Sequence, residues 1–142
     1  MKKFEFNNKT EVDLAGVVVG LKTDMATINK GIEFAKYMQK RGLEIQNDKS
    51  IKELDEDALI KKLDDVNNSL CDECYNFIDE ITEKGTAEKI FKDKSKDIYD
   101  CVEIINFLVD TLNEHRTDKL KGKVNKYNPN RAERRNNKKK RH

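Results

Sequence analysis

The sequence predicts a mainly α fold: a helical bundle of three to four helices with a short N-terminal β-hairpin and a disordered basic C-terminal tail. Three observations carry this. Apolar residues recur every three or four positions through most of residues 21–118, the period of helices with one buried face. Near the N-terminus they alternate at every second position, the period of a strand. After Lys119 the apolar period collapses while Lys and Arg accumulate. The 142 residues therefore divide into a hairpin segment (1–20), a helical body (21–118) and a basic tail (119–142), within the size of one domain.

The hairpin is read from Lys2–Phe6 and Thr10–Leu14, where Phe4, Phe6, Val12 and Leu14 alternate with polar residues. Asn7-Asn8-Lys9 lies between them and supplies the turn, because Asn tolerates positive φ. Val17-Val18-Val19 extends the second strand or starts a third, bracketed by Gly16 and Gly20.

A first helix is expected from Asp24 to Arg41, capped by Thr23 or Asp24. Its stripe is Met25, Ile28, Ile32, Ala35 and Met38, or alternatively Phe34 and Tyr37, and Gly42 is placed to end it. Gly31 falls in mid-helix, where Gly costs about 1 kcal/mol relative to Ala, and marks either close packing or a break. Leu43–Ser50 reads as a polar connection. A long helix follows from Ser50 or Asp57 to Lys84, with the seam Leu59, Leu63, Val66, Leu70, Cys74, Phe77 and Ile81. Gly85 stops it. Thr86 can cap a short piece holding Ala87, Ile90 and Phe91. Ser95 can cap the last helix, Lys96 to Arg116. Its stripe of Ile98, Cys101 or Val102, Ile105, Leu108 or Val109, and Leu112 is widened by Ile104 and Phe107. This helix should be the most buried.

The composition is unusually polar for a packed domain. Charged residues make up 39% and apolar ones 36%, against about 25% and about 45–50% in ordinary domains. The core is therefore thin, and the chain is expected to gain stability by binding itself or a partner. The net charge of +2 conceals a split. Lys119–His142 holds eleven Lys and Arg against one acid, Glu133, and so carries +10; the rest has 18 basic and 26 acidic residues, or −8. An acidic body with a basic extension follows. The N-terminal Met-Lys-Lys-Phe-Glu-Phe has no long apolar run, and no signal peptide or membrane span is expected. Three cysteines, an odd count, argue against a disulfide framework and for a reducing cytoplasm.

Several motifs bear on chemistry. Cys71-Asp72-Glu73-Cys74 is a C-x-x-C, but it falls inside a helix, and Cys101 and His115 match no zinc spacing. Cys74 lies on the apolar seam, where cysteine behaves as a small hydrophobe. The acidic clusters Asp55-Glu56-Asp57, Asp64-Asp65 and Asp79-Glu80 lack the Gly-centred calcium-loop pattern and read as solvated helix faces. There is no Gly-rich phosphate loop and no nucleophile in a recognisable motif. No catalytic, cofactor-binding or metal residue is nominated, and a non-enzymatic protein without cofactor is expected. The candidate binding residues are those of the tail: Arg131, Arg134, Arg135, Lys138, Lys139, Lys140 and Arg141. They could neutralise phosphates in a salt-sensitive way. With no aromatic residue after Tyr127, however, base stacking is poorly provided for. Contact with acidic protein surfaces is the other reading.

The two ends of the chain carry a resemblance. The start, Lys2-Lys3-Phe4-Glu5-Phe6-Asn7-Asn8-Lys9-Thr10-Glu11-Val12-Asp13-Leu14-Ala15-Gly16, and the end, Asn128-Pro129-Asn130-Arg131-Ala132-Glu133-Arg134-Arg135 with the basic run after it, resemble small proteins of the tail gene module of long-tailed phages and prophages of Gram-positive bacteria. That group includes the tail-assembly chaperones, and the match covers about a third of the chain. The resemblance implies a mostly helical protein of the bacterial host cytoplasm. It would bind the phage tape-measure protein until the tail tube polymerises, with the tail-tube protein a further partner and self-association into a homo-oligomer. It carries no catalytic residues. The alternative is a small phage protein that binds nucleic acid through the basic tail.

Overall fold

The computed structural model describes residues 1–127 and, for side chains, residues 1–121. Along this span the order is β1 (Lys9–Leu14), β2 (Val17–Lys22), α1 (Met25–Gln46), α2 (Lys49–Lys52), α3 (Glu56–Ile81), α4 (Thr86–Ile90) and α5 (Ile98–Tyr127). The fold is mainly α with an N-terminal antiparallel hairpin. Three helices are long; α2 and α4 are about one turn each.

The hairpin exists, but one strand later than the pattern placed it. β1 pairs antiparallel with β2, Val12 opposite Val19 and Leu14 opposite Val17. The turn is Ala15-Gly16, not Asn7-Asn8-Lys9. Both turn residues have positive φ, 54° and 91°, as a two-residue type I′ connection requires. The Gly16 N–H also donates to Asp13 Oδ1 at 2.7 Å. One face of the hairpin buries Val12, Leu14, Val19 and Leu21. Phe4 and Phe6 are exposed and touch each other edge-on at 4.9 Å. Their alternation imitates a strand, but neither ring joins the buried face that makes a strand worth forming.

Helix ends follow hydrogen bonding, most of it local. Thr27 Oγ1 donates to Asp24 at the start of α1, and this bond holds the Asp24 carboxyl below its ordinary pKa. α1 runs through Gly42 to Gln46, five residues past the expected end. Gly42 is not in the left-handed region there, and half-buried Ile45 continues the apolar face. The connection after it is not wholly irregular. Asp48 accepts from the Ser50 N–H at 2.9 Å and caps α2, which buries Ile51. Asp55 accepts from the Ala58 N–H at 2.8 Å and caps α3. α3 stops at Ile81, before Lys84, where Thr82 Oγ1 donates back to the Ile78 carbonyl. α5 begins at Ile98 rather than Lys96. Its first N–H groups are met by Asp97 Oδ1, which accepts from Tyr99, and by Asn67 Oδ1 of α3, which accepts from Ile98, both at 2.9 Å. α5 then continues to Tyr127, past the expected boundary at Lys119.

α1 and α3 are antiparallel. Lys30 pairs with Glu80, Phe34 stacks on Phe77 at 4.1 Å, and the Tyr37 hydroxyl donates to Glu73. α3 and α5 are parallel, with Asn67 beside Ile98 and Cys71 beside Cys101; α4 lies on the return between them. The inner face of the hairpin and the three long helices share one core. α5 is not the most buried helix. Phe107 is 49% exposed and Val102 37%, whereas the C-terminal half of α3 buries Leu70, Cys71, Cys74, Phe77, Ile78 and Ile81.

Candidate functional site

The tail residues Arg131, Arg134, Arg135, Lys138, Lys139, Lys140 and Arg141 lie outside the described residues, as does most of the tail segment. The remaining candidates can be placed. Cys71 and Cys74 sit one turn apart on α3, and Cys101 meets them from α5. All three are free and fully buried, with the Sγ atoms of Cys71 and Cys101 3.6 Å apart. Burial, then the contact with Cys101, pushes the Cys71 thiol up to about 12. The Cys101 thiol is raised by its contact with Cys74 and by burial. Such thiols stay protonated and act as apolar spheres. Among the described residues, no group of three or more His, Cys, Asp or Glu is arranged to hold a metal.

In two of the acidic clusters, Asp55, Asp79 and Glu80 are held by partners, while Asp64 and Asp65 are exposed. Asp55 caps α3. Asp79 accepts from the Gly85 N–H at 3.1 Å and the Ala87 N–H at 2.9 Å, so a residue of α3 caps α4. Glu80 binds Lys30 at 2.6 Å through its carboxylate and Lys22 through its carbonyl. Asp72 holds Lys96 at 2.6 Å.

Among the clefts the fold leaves open is an apolar groove between α1 and α5, with a volume of about 280 Å³. Ala35, Met38, Gln39 and Gly42 line it from α1, Leu70 from α3, and Ile98, Val102, Ile105 and Asn106 from α5. Its shape comes from small residues. At Gly31 the two helices meet closely; a Cβ added there would lie 2.8 Å from Leu112 Cδ1. Toward Gly42 they diverge, and a Cβ there would meet nothing within 4 Å. The helices thus form a wedge, closed at Gly31 and open at Gly42. Ala35, Met38, Leu70, Ile98, Val102 and Ile105 were legible in the sequence as apolar stripes, whereas Gln39, Gly42 and Asn106 were not. The signal that they do more was the width of the last stripe, where Val102 stands beside Cys101 and Ile105.

The comparisons with known proteins add a family. A model described as "Family of unknown function (DUF6673)" matches residues 21–138. The chain belongs to this family. The match spans all of α1 to α5, so the DUF6673 region includes the groove, while β1 and most of β2 precede it. No curated protein and no solved structure matches the chain. Among the described residues, no helix of this DUF6673 member is long and apolar enough to cross a membrane.

Proposed function

We propose that this chain is a non-enzymatic phage tail-assembly chaperone, which binds the tape-measure protein in the host cytoplasm and keeps it soluble until the tail tube polymerises. The single observation that supports this reading most is the groove. It is an apolar, helix-walled slot on an otherwise highly charged body, and it has the form that receives the apolar face of an amphipathic helix. The resemblance of the two chain ends to the tail-module proteins supplies the client.

The energetics suit a holding role. Burying one Leu-sized side chain gives about 1.5–3 kcal/mol, and a groove of this size admits only a few such anchors. Association costs of about 4–15 kcal/mol work against them. One groove therefore holds a client weakly, and tight retention needs several copies along one long client. A client that must later be surrendered to the tube is better held in this way.

Co-expression with the tape-measure protein of the same locus tests the reading. The expected result is a soluble client that co-elutes with the chain on size exclusion. Val102→Asp, which sets a charge on the groove wall at an already accessible position, should release it. A client that stays insoluble with no complex formed refutes the reading. The second reading, nucleic-acid binding, rests on the +10 charge of Lys119–His142. It predicts DNA or RNA binding that falls steeply with salt and is lost on deleting Asn128–His142.

A further inference from the structure

We infer that, when no client is present, the groove is closed by a second copy of this chain, related by a two-fold axis that runs along the groove. The inference goes beyond the chaperone reading and does not depend on the client's identity.

The argument starts from the two rims. On α1, Lys36, Lys40 and Leu43 follow the groove-lining residues round to the solvent side, since successive residues turn by 100°. On α5, Tyr99 and Glu103 stand in the corresponding place beside Val102. All five are exposed, Leu43 by 54% and Tyr99 by 79%. Among the described residues, none of Lys36, Lys40 and Glu103 takes part in an ion pair, although Lys30, Arg41, Lys94 and Lys96 do. One edge of the apolar slot is therefore basic and the other acidic, and each edge carries an exposed apolar side chain.

Such a surface complements itself under one operation. α1 is antiparallel to α3, and α3 is parallel to α5, so α1 and α5 are antiparallel. Rotation by 180° about an axis along the groove lays α1 of one copy over α5 of the other and preserves height along the axis. The four helices then form an antiparallel layer pair with the apolar slots face to face, an isologous contact that closes at two copies. Heights can be read from the close approach of Gly31 to Leu112 and from the shared lining of Gly42 and Ile98. On that scale Glu103 lies between Lys36 and Lys40 of the partner copy, and Tyr99 lies beside the partner copy's Leu43. The alternative two-fold, across the groove, sets Lys36 and Lys40 against their own copies and is opposed by like charge. The client and the second copy want the same apolar surface, so client binding would split the pair.

The test uses the full chain and two charge-reversed forms, Lys36→Glu with Lys40→Glu in one and Glu103→Lys in the other, by sedimentation over a concentration series. The native chain should pass from its 16.6 kDa monomer mass to twice that mass. Each reversed form alone should remain monomeric, because its rims now repel. An equimolar mixture of the two should restore the dimer, because every facing pair is again of opposite sign. Restoration also excludes misfolding as the cause of the loss. A native chain that stays monomeric throughout overturns the inference. So does a dimer unaffected by either reversal, a mixture that fails to associate, or a mass that keeps growing past two chains.

Discussion

Gly31 and Gly42 stand on one face of α1 and meet opposite surroundings. Gly31 is pressed against Leu112 and Val109 of α5, while Gly42 faces open space. Gly31→Val should therefore destabilise the protein by about 1–3 kcal/mol through overpacking. Gly42→Ala should stabilise it by about 0.5–1 kcal/mol, because a helix interior favours Ala. Urea unfolding midpoints check both, and a loss at Gly42→Ala would mean that α1 ends there after all. In the sequence Gly31 could mark close packing or a break, and Gly42 looked like a helix terminus; only the neighbour across the interface separates the two roles. The cysteines carry a second prediction. The Cys71 thiol is raised from 9.0 to about 12 in the fold, and Cys101 is raised too. A group whose folded pKa is raised contributes stability that is full below its unfolded value and is lost as pH rises toward the folded one. Stability should hold up to pH 9 and fall between pH 9 and 12, and Cys71→Ala with Cys101→Ala should flatten that fall in pH-dependent melts. Cys74 was legible on the apolar seam and Cys101 as one choice in the last stripe, whereas the burial of Cys71 came only from the fold.

At the scale of elements, several helices are begun or held by groups from elsewhere in the chain. Asp79, on α3, accepts from the N–H groups of Gly85 and Ala87 and so holds the turn into α4. Asp79→Ala should cost about 0.5–2 kcal/mol, the range for a lost cap, and should open α4 first. Faster amide exchange at Ala87, ahead of exchange in α3, is the readout. α5 starts at Ile98 because Asn67 of α3 reaches its first N–H, whereas Ser95 was the cap suggested by local sequence. The caps at Asp48 and Asp55 are local, yet the apolar pattern did not single them out, because an acid reads the same in a cap as on a solvated face; the α5 cap lies on another helix. The hairpin is present, but its pairing was misplaced for a different reason. Phe4 and Phe6 repeat at the same period as Val12 and Leu14, and periodicity alone cannot say which runs pair. The pairing was decided by a two-residue turn at Ala15-Gly16 and by which residues the helices could cover.

At the scale of the molecule, the first residue of the basic segment is tied to the body. Lys119 Nζ donates to the Thr23 carbonyl at 2.5 Å and pins α5 beside the start of α1. The last turns of α5 run on past that anchor. Cutting the chain after Lys126 should leave the melting temperature within about 3 °C of the full chain, since surface changes away from the core shift stability by under about 0.5 kcal/mol. A large drop would place part of the body beyond that point. The sequence by itself determined the helical class, the three long amphipathic helices, the hairpin's apolar alternation and the separation of an acidic body from a basic end. Periodicity, caps and charge are local properties, written within a few turns of chain. Only the tertiary structure decided which strands pair, where α1 stops and α5 begins, and that the two helices close at Gly31 and part at Gly42. The groove follows from the last of these. A stripe of Ala35, Met38, Val102 and Ile105 reads the same whether a neighbour fills it or leaves it open, because that depends on the distance between two helices more than fifty residues apart in the chain.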